Sequence, residues 1–294
     1  MRAEWTGQFS GMNLRIRGRE DGILQITRDL SGQFRETAYS PVCACPEGEW
    51  TLKTEGDGTV LEFSGLYIRI KPENGALSFA DANGKLLLQE LQEKPADLEP
   101  VEIRRGVFTG GTQITEKNGA DGARASADPA GMKTDRTGVR GRQYFCFREG
   151  EALYGLGSHE EGTGDLRGHT RILYQHNLKA VVPVLISSEG WGILFDMGCM
   201  MSFHDDGEGS FLEIDCADSL NWYFVYGGGT YDALMEKFRG LTGPAPMLPR
   251  PRPRSQPQPQ PQPKPQPRSR LQPQANMESL AKPAIPASPA CPAS

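Results

Sequence analysis

From Met12 to about Tyr226 the chain is written in short alternating apolar runs, each cut off within a few residues by Gly, Asn or Asp. Every second side chain of an extended strand falls on the same face, so a chain patterned this way pairs strands antiparallel and buries one face of each. In "LYIRIKP", Leu66, Ile68 and Ile70 share one face, and Tyr67, Arg69 and Lys71 share the other. "ALSFADANGKLLLQE" reads as a strand, a turn at Asn83-Gly84 and a returning strand. "RQYFCFR", "AVVPVLISS", "WGILFD", "FLEIDC" and "NWYFVYG" repeat the pattern, and no strand–helix–strand rhythm occurs. The predicted class is all-β, a large antiparallel β-sandwich. The polar stretch Thr112 to Gly141, with five glycines and few large apolar residues, is expected to be a long mobile loop.

One C-terminal helix interrupts this pattern. "TYDALMEKFRGLTG" places Thr230 at the N-cap and Asp232 in the first turn, with Gly240 or Gly243 as the stop. Tyr231, Leu234, Met235, Phe238 and Leu241 recur at helical spacing, a stripe read as packing against the sandwich. After "GPAPMLP" the composition breaks into Pro-Gln and Pro-Arg dipeptides through Arg270 and then an Ala/Pro/Ser-rich end. Such a segment buries too little apolar surface to offset its ordering entropy. The expected organisation is a sandwich over residues 1–250 and a disordered Pro/Gln-rich tail over residues 251–294.

The balance of 32 basic against 37 acidic residues, a net charge of −5, argues against nucleic acid or an anionic membrane as partner. The opening "MRAEWTGQFSGMNLRIRG" lacks the basic start and apolar core of a secretory leader, and no stretch approaches the roughly 18 apolar residues of a membrane span. The expectation is a cytoplasmic protein. Cys43, Cys45, Cys146, Cys199, Cys216 and Cys291 are scattered, and Cys43 and Cys45 form a lone C-x-C without a second pair. They are read as free thiols, with no metal or cofactor predicted.

Polar chemistry concentrates in "EALYGLGSHEEGTGDLRGHTRILYQHN", Glu151 to Asn177. Gly155, Gly157, Gly162, Gly164 and Gly168 permit tight turns, while Tyr154, His159, Glu160, Glu161, Asp165 and Arg167 supply polar groups. A phosphate cradle fails, because Glu160 occupies the third glycine place, no clear helix follows and three carboxylates would repel an anion. His159, His169, His176 and His204 match no metal-ligand spacing, and His204-Asp205-Asp206 reads as a solvated hairpin tip. Tyr154, Tyr174, Gln175, His176 and Asn177 mix rings with short donors and acceptors, which suits neutral polyhydroxylated ligands. Trp191, Trp222 and Tyr223 could belong to the same set but are better explained as core.

"EALYGLG", "LRGHTRILYQHN", "AVVPVLISSEGWGILFD", "NWYFVYGG", "TYDALMEKFRGLTG" and "PAPMLPR" follow one another between Glu151 and Arg250. In that order and at that spacing they resemble the N-terminal part of glycoside hydrolase family 31, which holds α-glucosidases and α-xylosidases. The resemblance implies a galactose mutarotase-like sandwich, which in the family precedes a (β/α)8 barrel carrying two catalytic aspartates. A sandwich loop in the family leans over the sugar site, and by position it corresponds to Tyr174–Lys179 here. The residues expected to touch an α-linked saccharide are therefore Gln175, His176 and Asn177. Where the family continues into the barrel, this chain enters Pro-Gln repeats, so the barrel is expected to be absent and no catalytic residue is assigned.

The expected function is thus the non-catalytic N-terminal portion of an α-glycosidase, holding saccharide weakly at a partial site. Self-association is expected through the surface that would face a barrel, formed by the helix Tyr231–Leu241 and residues Leu241–Pro249. Two alternatives stand beside it. One is a stand-alone carbohydrate-binding sandwich. The other is a mutarotase-like epimerase with His169 or His176 as acid and Glu213 as base.

Overall fold

In a computed structural model, residues 4–244 are described except 20–21, 37–38, 41, 43–50, 56–57, 111–113, 120–121 and 128. The chain runs β1 (Glu4–Phe9), β2 (Met12–Gly18), β3 (Ile23–Asp29), β4 (Thr51–Glu55), β5 (Gly58–Phe63), β6 (Leu66–Ile70), β7 (Leu77–Ala80) and β8 (Leu86–Glu90). It continues through β9 (Ala96–Val107), β10 (Ile114–Gly119), β11 (Gly122–Ala127), β12 (Gly131–Cys146), β13 (Leu153–Ser158), β14 (Thr170–Leu173) and β15 (Ala180–Ser187). The last elements are β16 (Trp191–Phe195), β17 (Met201–Asp206), β18 (Gly209–Ala217), β19 (Leu220–Tyr226) and the helix α1 (Tyr231–Thr242).

Two antiparallel sheets form a sandwich. One is ordered β1-β2-β3-β19-β16-β15-β13, and the other β14-β17-β18-β12-β8-β7-β6-β5-β4, with β9 added along β12. Their inner faces share one apolar core, in which Leu24, Ile26, Trp191, Trp222 and Phe224 meet Ile68, Phe79, Leu88, Phe145, Phe203 and Leu212. Phe79 stacks on Phe224 at 4.5 Å between centroids, and Phe145 meets Trp222 edge-on at 5.9 Å. The seven-stranded sheet is also covered on its outer face, where Leu234 and Leu241 of α1 pack on Ile23, Val184, Leu194, Tyr223 and Val225. Coverage on both faces explains why β3 and β16 are buried at every position. Trp191, Trp222 and Tyr223 are core residues, as their sequence reading favoured.

The hairpin expected in "ALSFADANGKLLLQE" is β7–β8, with Gly84 at φ 79° in its turn. Thr230 caps α1, its hydroxyl accepting from the Ala233 amide at 3.4 Å. Gly243 at φ 80° ends the helix, and Gly240 stays inside it. A polar cluster ties the two sheets together: Arg28 of β3 donates to the carboxylate of Glu90 on β8, which also accepts from the Leu77 amide at 2.8 Å and from Gln143 of β12 at 3.0 Å.

The structure corrects two expectations. Strands begin at Glu4, ahead of Met12, with β1 paired along β2. The stretch Thr112–Gly141 is not a loop. It contributes the β10–β11 hairpin and most of β12, which pairs with β9 from Gly131↔Val107 to Gln143↔Ala96. This ribbon exposes both faces over much of its length, so it needs backbone pairing and cross-strand charges such as Arg140–Glu99 at 2.6 Å rather than an apolar stripe.

Among the described residues no helix is long and apolar enough to cross a membrane. Cys146, Cys199 and Cys216 are free. Cys43, Cys45, Cys291 and the tail expected over 251–294 lie outside the described residues.

Candidate functional site

The Gly155-Leu156-Gly157 triplet makes a bulge in β13, where its pairing with β15 shifts register. Gly155 (φ 107°) and Gly157 (φ 97°) bring the β13 backbone so close that a Cβ would stand 2.2 Å from the Val184 carbonyl oxygen and 2.0 Å from that of Ala180. Between them Leu156, at φ 60°, turns fully into the core. The glycines therefore serve strand approach, in keeping with the rejection of a phosphate cradle.

Most polar groups after the bulge hold the fold. Buried Glu151 accepts from the Arg148 amide at 2.9 Å and from the Ser187 hydroxyl. Asp165 accepts from the amides of Leu153 and Arg167, both at 3.0 Å. Arg167 donates to the carbonyls of Arg148 and Glu151 and, through Nε, to Asp205 at 2.8 Å. Asp205 also accepts from the Gly168 amide at 2.8 Å and from Ser210. Burial raises the Asp205 pKa, but the bonds from Ser210, Gly168 and Arg167 outweigh it and hold the carboxyl below its ordinary range. This corrects the solvated-tip reading of His204-Asp205-Asp206: only Asp206 is exposed, Asp205 is buried, and His204 stacks on Phe211 at 4.4 Å. His159 places Nε2 2.9 Å from the Leu156 carbonyl oxygen, which also fixes it locally.

One polar surface remains open. Ser158 and Gln175–Ala180 line a cavity of about 530 Å³ between the ends of β13, β14 and β15. The loop over it is braced from within. The Gln175 amide donates to the Lys179 carbonyl and accepts from the Val181 amide at 2.9 Å, and the Lys179 amide bonds the His176 carbonyl at 3.1 Å. Lys179 also pairs with Glu161 at 3.1 Å, whose own backbone amide and Lys179 together hold its carboxyl below the ordinary range. Leu178 crowns the loop at φ 63° and 82% exposure, a conformation and exposure that a leucine adopts only where the surrounding chain imposes them.

Of the three residues singled out in the sequence, Gln175 directs its amide into the loop. His176 and Asn177 are exposed, and neither side chain makes a hydrogen bond among the described residues. The His176 ring lies 6.0 Å from that of Tyr174, itself 58% exposed. Among the described residues no carboxylate lines this cavity.

A second cavity, of about 590 Å³, is lined by Asp97, Glu99, Arg140, Arg142, Glu213 and Asp215 on the outer face of the larger sheet. Its two glutamates are both in ion pairs, Glu99 with Arg140 and Glu213 with Arg142, each at 2.6 Å. Among the described residues no hydrogen bond or ion pair joins His169 or His176 to Glu213, which pairs instead with Arg142.

No protein-family model matches the chain. An alpha-xylosidase of Saccharolobus solfataricus is 32% identical over 117 residues, 37% of this chain and 16% of that protein. An uncharacterized family 31 glucosidase of Pseudescherichia vulneris is 27% identical over 186 residues, 60% of this chain and 31% of that one. The chain resembles the N-terminal portion of family 31 glycoside hydrolases. The crystal structure of a family 31 alpha-xylosidase from a soil metagenome, complexed with xylose, shares the fold with a TM-score of 0.65 at 18% identity, covering 85% of this chain and 35% of that one. The matched stretches thus span about a third or less of each of these family 31 relatives. The bracing role of Gln175 and the Glu151–Asp165–Arg167–Asp205 network escaped the sequence, because their partners are set by strand register and not by spacing.

Proposed function

We propose that residues 1–250 form the substrate-side, non-catalytic sandwich of a family 31 α-glycosidase of the cytoplasm, which presents the Tyr174–Lys179 loop to an α-linked saccharide. The observation that carries this reading is the split within the loop: Gln175 is engaged in bracing it, while among the described residues the His176 and Asn177 side chains make no hydrogen bond and no carboxylate lines the cavity beneath them. An amide and an imidazole can donate to and accept from sugar hydroxyls, but they cannot supply the carboxylate pair, roughly 5 Å apart, of retaining glycoside hydrolysis. That pair would have to come from outside the described residues.

The purified chain should bind xylose and glucose oligosaccharides weakly by calorimetry, and His176→Ala with Asn177→Ala should abolish the binding. It should leave aryl α-glucosides and α-xylosides intact. Turnover that depends on a carboxylate within residues 4–244 would overturn the assignment. Tight binding retained in the double variant would favour a self-sufficient carbohydrate-binding sandwich with its site elsewhere.

Self-association is part of the same proposal. Leu234, Met235 and Phe238 of α1 border an apolar groove of about 220 Å³ with Val182, Val184 and Ile186, and Tyr231 and Met235 are half exposed beside it. An exposed surface of this kind favours association. A concentration-independent monomer in sedimentation would remove that element of the proposal.

A further inference from the structure

Ser202, His204 and Asp206 are alternate residues of β17 and share the outer face of the larger sheet, because Met201 and Phe203, which alternate with them, are buried in the core. Strand β14 lies alongside with Thr170 opposite His204 and Ile172 opposite Ser202, and β18 places Phe211 and Glu213 on the other side. Phe211 is fully buried and stacks on the His204 ring at 4.4 Å and 12°, which fixes the plane of the imidazole.

Thr170 donates its hydroxyl proton to Asp206 at 2.7 Å. Two acceptors therefore face His204 Nδ1, Thr170 Oγ1 at 3.3 Å and Asp206 Oδ2 at 3.4 Å. The ring proton sits on Nδ1, and Nε2 turns its lone pair to the Ser202 hydroxyl at 3.0 Å. The Glu208 amide and the Thr170 hydroxyl hold the Asp206 carboxyl below its ordinary range, so it is ionised beside the imidazole at neutral pH. A hydroxyl bonded to a base that a third group orients is the arrangement of an activated nucleophile. Glu213, opposite Ser202, has its charge offset by Arg142 at 2.6 Å. Ser202 and His204 are both half-buried, and Ile172 beside them is 57% exposed. The alternation of buried and exposed residues continues from Ile172 to Tyr174, so β14 leads from the serine to the Tyr174–Lys179 loop, which begins about 7 Å further along the chain.

We propose that Ser202 is a nucleophile for acyl esters, with His204 as its base and Asp206 and Thr170 as positioning residues, and that its substrate is an O-acetylated saccharide held by the adjacent loop. The choice of sugar rests on the proposed saccharide contact of Tyr174–Lys179; the nucleophile does not. Ser202 Oγ bonds to the acyl carbon while its proton passes to Nε2. The bond from the acyl carbon to the sugar oxygen breaks, and that oxygen takes the proton from Nε2. Water then gives a proton to Nε2 and its oxygen to the acyl carbon, and acetic acid leaves as Ser202 recovers the proton.

The full chain is treated with a fluorophosphonate probe, whose fluoride leaves as Oγ bonds to phosphorus, and the label is mapped by peptide mass spectrometry. Ser202 should carry it ahead of every other serine. Hydrolysis of p-nitrophenyl acetate should be lost in Ser202→Ala and fall about 10²–10⁴-fold in His204→Gln, the range of general-base assistance. Asp206→Asn should lower kcat and leave KM unchanged. Mapping on the unaltered chain is decisive by itself if a variant fails to fold. Label spread evenly over exposed serines, or ester hydrolysis that survives in Ser202→Ala, would overturn the nucleophile. Mono-O-acetyl methyl α-xyloside should release acetate. Its failure to do so while Ser202 is labelled would overturn the substrate, and calorimetry of Ser202→Ala with methyl α-xyloside then shows whether the loop holds sugar at all.

Discussion

Replacing Arg28 by Met tests whether the buried Arg28–Glu90 pair holds the two sheets in place. Both residues are fully buried. The substitution removes the cation from Glu90 together with the bonds from Arg28 to the Gly75 carbonyl at 3.1 Å and to Gln143 at 3.3 Å. The carboxylate keeps the Leu77 amide and Gln143 but has no counter-charge. Breaking a buried pair in this way costs about 3–5 kcal/mol. For a domain of this size that corresponds to roughly 6–20 °C in Tm. Adding Glu90→Leu should restore most of the loss, because the uncompensated charge leaves with it. Urea unfolding followed by the fluorescence of the buried Trp191 and Trp222 reads both effects.

The same variant has a pH signature. Burial already pushes the Glu90 carboxyl up against the pull of Arg28, and without Arg28 it rises further. A carboxyl with a raised folded pKa binds more protons folded than unfolded, so stability falls as pH rises from the unfolded value of about 4.3 through the folded one. The deficit of Arg28→Met should therefore be largest at neutral pH and shrink toward pH 4.3. A deficit under about 1 kcal/mol, or one that grows on acidification, would refute the reasoning.

Gly157→Ala should cost at least about 2 kcal/mol, since the new Cβ meets the backbone oxygen of Ala180 at 2.0 Å and the residue holds φ 97°; an unchanged urea midpoint would contradict the bulge geometry. Asp205→Asn should destabilise by about 1–3 kcal/mol through Arg167, Gly168 and Ser210. The Asp205 carboxyl has a lowered folded pKa, so its contribution is present above the unfolded value of about 3.9 and is lost as pH falls through the folded one. The gap between wild type and variant should accordingly close on acidification below pH 3.9. Gln175→Ala should speed amide exchange at Lys179 and Val181 while leaving the global melting within about 1 °C, because the loop it braces is exposed.

Alternation in β6 and β7–β8, the capped stripe of α1 and the core character of Trp191, Trp222 and Tyr223 were all legible in the sequence, because each depends on residues close together in the chain. Which polar side chains are engaged within the fold and which stay open was decided by tertiary structure. Gln175 reads like His176 and Asn177 in sequence, but only the fold places the Val181 amide and the Lys179 carbonyl where they engage its amide. Asp205 lies in a polar turn sequence, yet the Arg167–Gly168 turn covers it and turns a surface acid into a structural anchor. The ribbon of β9 and β12 carries no apolar period, since its stability comes from hydrogen bonds between residues 96–107 and 131–143, and a chain read locally contains no record of that pairing. Local periodicity determined the core strands and the helix; long-range register determined the β9–β12 ribbon and what the polar side chains do.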